Sequence, residues 1–324
     1  MVQDNTAATG GVLVARRVPE AVAERARRDF GAIVADHDMD AGEALAIVAE
    51  KGLAALVSGG KVRLTAEHAA HLPPSLRIVA NTSVGHDHMD SAAVKAAGVI
   101  VTNTPDVLTD CTADLAFMLL LNACRRGHEY EATMRKGWRQ GFGMPDFLGL
   151  QASGKTLGIV GMGRIGQAMA RRAQGFGMKI LYNNRRRLPA EQEMGAEYVP
   201  DLAAMLPRCD ILSLHLPGGE AGTLMTAGNF ALLPRGAVFV NTARGALVDE
   251  DALIDALKSG HLFAAGLDVF RREPDFDLRF AELPNVFLTP HVASATVETR
   301  DAMGFRALDN VAAVLAGKAP LDPV

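Results

Sequence analysis

A chain of 324 residues is longer than one hydrophobic core comfortably fills and suggests two domains. Its 49% hydrophobic and 22% charged residues describe a globular protein, and a net charge of −4 with 5% aromatics gives no case for nucleic acid or a membrane surface as partner. The most apolar stretch, residues 115–123, is far short of the ~20 residues of a membrane span. Residues 1–11 lack the regions of a signal peptide. Cys111, Cys124 and Cys209 are odd in number, widely spaced and set in apolar segments, as reduced thiols of a cytoplasmic protein would be. They suggest neither a metal site nor a disulfide.

From the N-terminal side, strand-like and helix-like runs alternate. Residues 11–17 read as a strand and 19–30 as a helix with Pro19 at its start. A short strand over 32–35 and a helix over 41–51 follow. Residues 53–57 lead into Ser58-Gly59-Gly60, and a helix begins near Thr65. The run 76–80, a loop at 83–85, a helix over 89–97 and a strand over 99–102 complete the set. This rhythm predicts a parallel sheet with helices on both faces. Pro105 breaks it, and a long helix over about 110–126 leads onward.

Residues 156–187 carry the most informative pattern. The apolar run 157–160 feeds Gly161-x-Gly163-x-x-Gly166, an amphipathic helix follows over 165–176, and a second apolar run, 179–182, comes at βαβ distance. Each glycine then has its own use. Gly161 permits the tight turn, Gly163 lets backbone approach a pyrophosphate, and Gly166 allows close helix–strand packing. The helix start at Arg164 and Ile165 offers free N–H groups and a partial positive charge to phosphates. An NAD-preferring site places Asp or Glu about 20 residues beyond the turn. Here Asn184, Arg185 and Arg186 stand there, followed by Arg187. Neutral Asn tolerates a 2′-phosphate and Arg can bind it bidentately. NADP(H) is therefore the expected preference, with NAD(H) as the other possibility; a solvated basic turn is the plain alternative.

The alternation resumes with strands over 210–214, 237–241, 264–267 and 286–288, a helix over 250–259 ended by Gly260, and a last helix over about 297–315. Three polar groups lie just beyond these strands: Arg244, Glu273 and His291. Open α/β sheets place ligands there. Together they suit reduction of a 2-oxo acid, with Arg anchoring the carboxylate, His donating a proton and Glu stabilising the imidazolium. By spacing alone each also has a plain structural reading.

The segments NTARGALVDEDAL, AAGLDVFRREP, LPNVFLTPHVASAT, NTPDVLTDCTADLAF and SVGHDHMD resemble those of the D-2-hydroxyacid dehydrogenases, most of all the glyoxylate and hydroxypyruvate reductase branch. The resemblance runs from about residue 53 to 308. It implies an α/β fold of two doubly wound, parallel-sheet (Rossmann-like) domains with an interdomain active-site cleft. One is discontinuous, 1–105 plus 292–324, and takes the substrate; the other, 106–291, binds the dinucleotide. The resemblance makes His291 the acid/base, Glu273 its partner and Arg244 the carboxylate anchor. It places Asp268 on the nicotinamide carboxamide, and Thr112, Leu216, Pro217, Thr242 and Ala243 along the cofactor. Val84 and Gly85 form the substrate loop, with Ser58 and Gly59 nearby.

Residues 125–149, with Trp138, resemble the family's dimer arm, so a homodimer is expected. His86 and His88 follow the substrate loop and are expected at the surface or behind the substrate contacts rather than on the substrate, and His215 is expected to be structural near the cofactor. The chain's end at Val324 suggests no appended regulatory domain. The function implied is NADP(H)-linked reduction of glyoxylate, hydroxypyruvate or a similar small 2-oxo acid to a D-2-hydroxy acid. Two alternatives stay open: a phosphite- or formate-type dehydrogenase on this scaffold, and a corepressor-like NAD(P)-binding sensor.

Overall fold

A computed structural model describes residues 10–218 and 222–324. The chain divides into two compact units, Met1–Leu108 with Ser294–Val324, and Thr109–Ala293.

The first unit is built on five parallel strands: β1 (Val12–Val14), β2 (Ile33–Val34), β3 (Ala55–Ser58), β4 (Ile78–Asn81) and β5 (Ile100–Thr102), in the order β2-β1-β3-β4-β5. Alternation along each strand divides the apolar side chains between two faces. Leu13, Leu56 and Val79 join one cluster, and Val12, Val14, Val57, Ile78 and Ala80 the other. The helix Val297–Leu315 packs Ala307, Leu308 and Val311 into the second cluster, so the end of the chain completes the first unit. Local signals set the helix limits. Asp40 accepts the Glu43 N–H at the start of the helix Ala41–Lys51, and Gly52 ends it in the left-handed region at φ 62°.

The second unit holds seven parallel strands: β6 (Thr156–Val160), β7 (Lys179–Asn183), β8 (Glu197–Tyr198), β9 (Ile211–Leu214), β10 (Ala237–Asn241), β11 (Leu262–Leu267) and β12 (Val286–Leu288). Their order is β12-β11-β10-β9-β6-β7-β8. The chain starts in the middle at β6, winds outward through β7 and β8, then returns to β9 on the other side. The gap between the C-terminal ends of β6 and β9 is thus a topological switch point, where a doubly wound sheet opens a crevice for ligand. Both faces are covered: Leu157, Ile159, Val238 and Val240 pack on one side, and Leu181, Leu212 and Phe239 on the other.

Some elements differ from expectation. The helix expected over 110–126 runs Thr109–Cys124, because Arg126 takes φ 53° and a separate helix, Gly127–Arg135, begins behind it. Strand β8 and the helix Ala227–Leu232 had no counterpart in the sequence reading. Among the described residues no helix is long and apolar enough to cross a membrane.

Candidate active site

The expected cofactor residues of the second unit, Thr112 apart, stand beyond the C-terminal ends of its strands. Gly161 leaves β6 at φ 96°, where an L side chain is strained, and its Cβ would come within 2.7 Å of the His215 backbone beyond β9. The Cβ of an alanine at 166 would collide with the Gly161 carbonyl. A Cβ at Gly163 would meet nothing, so the turn leaves open room at that position. Gly163 is the N-cap of the helix Arg164–Gly175 and gives it no side-chain cap. This cradle fits a pyrophosphate. Leu216 and Pro217 follow β9, and Thr242 and Ala243 follow β10. The Thr242 hydroxyl and His215 Nδ1 are buried with no protein partner among the described residues. Thr112 is buried in the helix Thr109–Cys124.

Beyond β7 the arrangement is more specific than the sequence suggested. Asn184 does not simply stand open: its Oδ1 accepts the Met162 N–H at 2.7 Å and ties the end of β7 to the glycine turn. Arg185 and Arg186 are exposed, with no side-chain hydrogen bond or ion pair among the described residues. Arg187 instead turns back onto Glu193, at 2.7 and 3.0 Å.

Arg244, Glu273 and His291 are built together. Gly245 follows Arg244, and a Cβ there would collide with the Phe270 carbonyl group, so only glycine lets these two segments cross. The Phe270 N–H in turn donates to Glu273 Oε1 at 2.8 Å, and Glu273 Oε2 meets His291 Nδ1 at 2.6 Å. Burial would raise the Glu273 carboxyl, but the His291 hydrogen bond, the Phe270 N–H and the charges of His291 and Arg244 together hold it below its ordinary value. With Nδ1 engaged, His291 Nε2 has no partner among the described residues, and about half of the side chain is exposed. The ring therefore has one nitrogen fixed on a carboxylate and the other available.

Asp268, fully buried, sits under this turn. It accepts the Thr289 hydroxyl at 2.7 Å and the N–H groups of Val292 and Ala293 at 2.8 and 3.0 Å, while the His291 N–H donates to its carbonyl at 2.9 Å. His291 takes φ 52°, a left-handed conformation that a non-glycine residue keeps only when its surroundings hold it. This anchoring role was not visible in the sequence.

The other titratable groups suit acid–base or nucleophilic work less well. Burial pushes His215 down to about 4, so its ring, hydrogen-bonded to Ser213 Oγ at 2.8 Å, is neutral near pH 7. Burial also pushes Cys124 and Cys209 up to about 11 and about 12, leaving both as inert thiols. Among the described residues no three His, Cys, Asp or Glu side chains gather as a metal site.

In the first unit, Ser58 ends β3 and Gly59 follows it. The residues beyond β4 form a bound loop: Asn81 Nδ2 donates to the carbonyls of Ser83 (3.2 Å) and Gly85 (2.9 Å), and Asn103 Nδ2 to that of Val84 (2.9 Å). In a trans peptide the N–H points opposite to the C=O. Holding these three carbonyls therefore turns the N–H groups of Val84, Gly85 and His86 each away from its asparagine. His86 Nδ1 is taken by the Ser91 hydroxyl at 3.0 Å. Sequence reasoning passed over Arg16, which follows β1, donates to Thr82 Oγ1 at 2.8 Å and lies where a Cβ on Gly59 would come within 2.6 Å of its Nη1. The strand order 2-1-3-4-5 puts the ends of β1 and β3 side by side at this sheet's own switch point, and only that topology would have pointed to it.

A seven-stranded doubly wound sheet with a pyrophosphate cradle at its switch point, and a histidine–carboxylate pair beyond neighbouring strands, defines a nicotinamide-dependent dehydrogenase. Comparison with known proteins gives the family. A model described as the NAD binding domain of D-isomer specific 2-hydroxyacid dehydrogenases matches residues 117–293, and the chain belongs to that family. It is 48% identical over 253 residues to a glyoxylate reductase of Thermococcus litoralis, covering 76% of each chain. It is 40% identical over 315 residues to a glyoxylate reductase of Thermococcus onnurineus, covering 95% of this chain and 94% of that one. Among solved structures it is similar to an NADPH-dependent glyoxylate/hydroxypyruvate reductase of Sinorhizobium meliloti in complex with NADP and malonate, with TM-score 0.86, 36% identity and coverage of 98% and 97%.

Proposed function

We propose that this dehydrogenase reduces glyoxylate, hydroxypyruvate or a similarly small 2-oxo acid to the 2-hydroxy acid, D-configured where a stereocentre forms, with NADPH preferred. The observation that carries the reading is the His291–Glu273 pair at 2.6 Å beyond β11 and β12, on the same sheet edge as the glycine turn. When bound, the nicotinamide supplies a hydride to C2. Glu273 fixes Nδ1 and stabilises the imidazolium, so that Nε2 can pass its proton to the carbonyl oxygen, a general-acid contribution of ~10²–10⁴-fold. The Arg244 guanidinium offers a fork to the substrate carboxylate and polarises the adjoining carbonyl. In the first unit, the N–H groups of Val84 and Gly85, with Ser58 and Gly59 as further substrate residues, would bind a carboxylate.

The cofactor would be held by Gly161, Gly163 and Gly166 with the N–H groups of Arg164 and Ile165 at the pyrophosphate, and by Thr112, Leu216, Pro217, Thr242, Ala243 and Asp268 toward the nicotinamide. Asn184 carries no charge to repel a 2′-phosphate, and Arg185 and Arg186 would bind it. The names of the relatives support the substrate class. The reading is tested by following NADPH and NADH oxidation against glyoxylate, hydroxypyruvate, pyruvate and longer 2-oxo acids. Turnover of the two- and three-carbon acids is expected, with kcat/KM about tenfold or more in favour of NADPH, the worth of one charge-assisted contact. No turnover with any 2-oxo acid would overturn the activity; equal or better efficiency with NADH would overturn the preference alone.

We also propose that the protein is a homodimer. Residues 127–149 expose Met134, Trp138, Phe142, Met144 and Leu148, and the helix Gly127–Arg135 buries none of its residues. An exposed apolar group of this size marks an interface. The resemblance of this segment to the family's dimer arm makes a second copy its partner.

A further inference from the structure

The turn after β7 contains three consecutive arginines, and the structure separates them into two kinds. Arg187 makes a two-pronged contact to Glu193, Nε to Oε1 at 2.7 Å and Nη2 to Oε2 at 3.0 Å. Glu193 is only 7% exposed, unusual for a carboxylate, and its Oε1 also accepts the Tyr182 hydroxyl at 2.6 Å. Tyr182 lies on β7 with its ring fully buried, and its hydroxyl oxygen accepts the Leu188 N–H at 3.0 Å. One buried carboxylate and one buried phenol therefore hold the far end of the turn at both Arg187 and Leu188. The Arg187 contacts, and after them the Tyr182 hydroxyl, hold the Glu193 carboxyl down at about 2, so it is ionised throughout the working range.

The near end is fixed independently. Asn184 Oδ1 holds the Met162 N–H of the glycine turn, Tyr198 donates to the Asn184 carbonyl at 3.2 Å, and Asn183 Nδ2 donates to the carbonyls of Val199 and Pro200. Between these clamps only Arg185 and Arg186 remain without a side-chain partner among the described residues. Three adjacent guanidiniums on an exposed turn would repel one another and sample many arrangements. Removing one into an internal ion pair and pinning the turn at both ends fixes the backbone from which the other two extend. A pre-ordered turn binds a phosphate with less ordering entropy lost at the moment of binding, since only the two side chains have still to settle.

We propose that Glu193, acting through Arg187 and Tyr182, is a positioning residue that sets the cofactor preference by fixing the turn that presents Arg185 and Arg186 to the 2′-phosphate. Arg187 is then a strut of the turn and not a phosphate ligand. The proposal rests on the reading of Arg185 and Arg186 as the 2′-phosphate site and deepens it.

The test is steady-state kinetics with NADPH and with NADH, at saturating 2-oxo acid, for the wild type, Glu193→Gln, Glu193→Gln combined with Arg187→Gln, Tyr182→Phe, and Arg185→Gln combined with Arg186→Gln. In Glu193→Gln and in its double variant, KM for NADPH is expected to rise about tenfold, the worth of about one charge-assisted hydrogen bond. KM for NADH and both kcat values stay within about twofold, because a distant strut moves neither. Tyr182→Phe keeps the ion pair and the ring, so it folds even where Glu193→Gln is impaired, and it is expected to shift KM for NADPH in the same direction by a smaller factor. An unchanged ratio of NADPH to NADH efficiency in Glu193→Gln and Tyr182→Phe, with a lowered ratio in the Arg185/Arg186 variant, overturns the strut alone. An unchanged ratio in the Arg185/Arg186 variant overturns the phosphate site and the strut with it. A rise in NADPH preference in Glu193→Gln, lost when Arg187 is also removed, overturns the proposal by showing Arg187 to be a ligand once released.

Discussion

His291 is held in a conformation that its own backbone disfavours, and the residues that hold it explain how the site works. Asp268 binds the two N–H groups that follow it, and Glu273 binds its ring. Because Glu273 titrates below its ordinary value, the pair has a definite pH signature. A carboxyl with a depressed folded-state value contributes stability that is complete above the ordinary glutamate range, about pH 4–5, and is lost as pH falls through the depressed value. The Glu273 side chain is one-third exposed, so solvent weakens this contribution. For Glu273→Gln we expect kcat/KM to fall about 10–100-fold, less than the ~10²–10⁴-fold of removing the general acid itself, with cofactor affinity retained. The stability difference from the wild type should be present near neutral pH and shrink as the solution is acidified below about pH 4. Thermal melts and initial rates from acid to mildly alkaline pH check both. A variant with wild-type rates would show that the carboxylate does not serve the histidine.

At the scale of elements, what the sequence disclosed followed local rules. The βαβ unit from β6 to β7 was legible in part because two of its glycines answer a steric demand that only glycine meets: Gly161 by its φ and Gly166 by the carbonyl facing it. Arg244, Glu273 and His291 could be picked out because each follows a strand, and the resemblance paired Glu273 with His291, but the contacts that hold them could not be read. They depend on Phe270 crossing Gly245, a contact between segments well apart in the chain, and on an Asp268 whose side chain is hidden beneath the turn. The same limit separated the arginines. Their composition suggested a phosphate site, yet only the fold shows that Arg187 is engaged by Glu193, and that Asn184 serves the glycine turn. Helix ends were missed where nothing in the composition marks them: Arg126 adopts a left-handed φ with no glycine or proline in its own place to announce it. Two-residue strands such as β8 are too short to show a period.

For the whole molecule, each sheet carries most of its candidate groups beyond the C-terminal ends of its strands, and the last helix of the chain returns to complete the first unit. The exposed apolar residues of the arm stand apart from both sets of candidate groups in sequence. We expect the wild type to sediment as a dimer, and Trp138→Glu combined with Met144→Glu to shift it toward monomer, because charges in an interface core are strongly unfavourable. Analytical ultracentrifugation over a range of concentrations decides it. A wild-type monomer at every concentration would remove the dimer from the account.

The central claim is that His291 delivers the proton while other residues hold the cofactor. The most direct measurement pairs single-turnover reduction of glyoxylate by His291→Ala with the dissociation constant for NADPH, read from nicotinamide fluorescence. The account predicts that turnover falls by ~10²–10⁴-fold while cofactor affinity stays within about threefold of the wild type. Turnover within a few-fold of the wild type at unchanged affinity would contradict it.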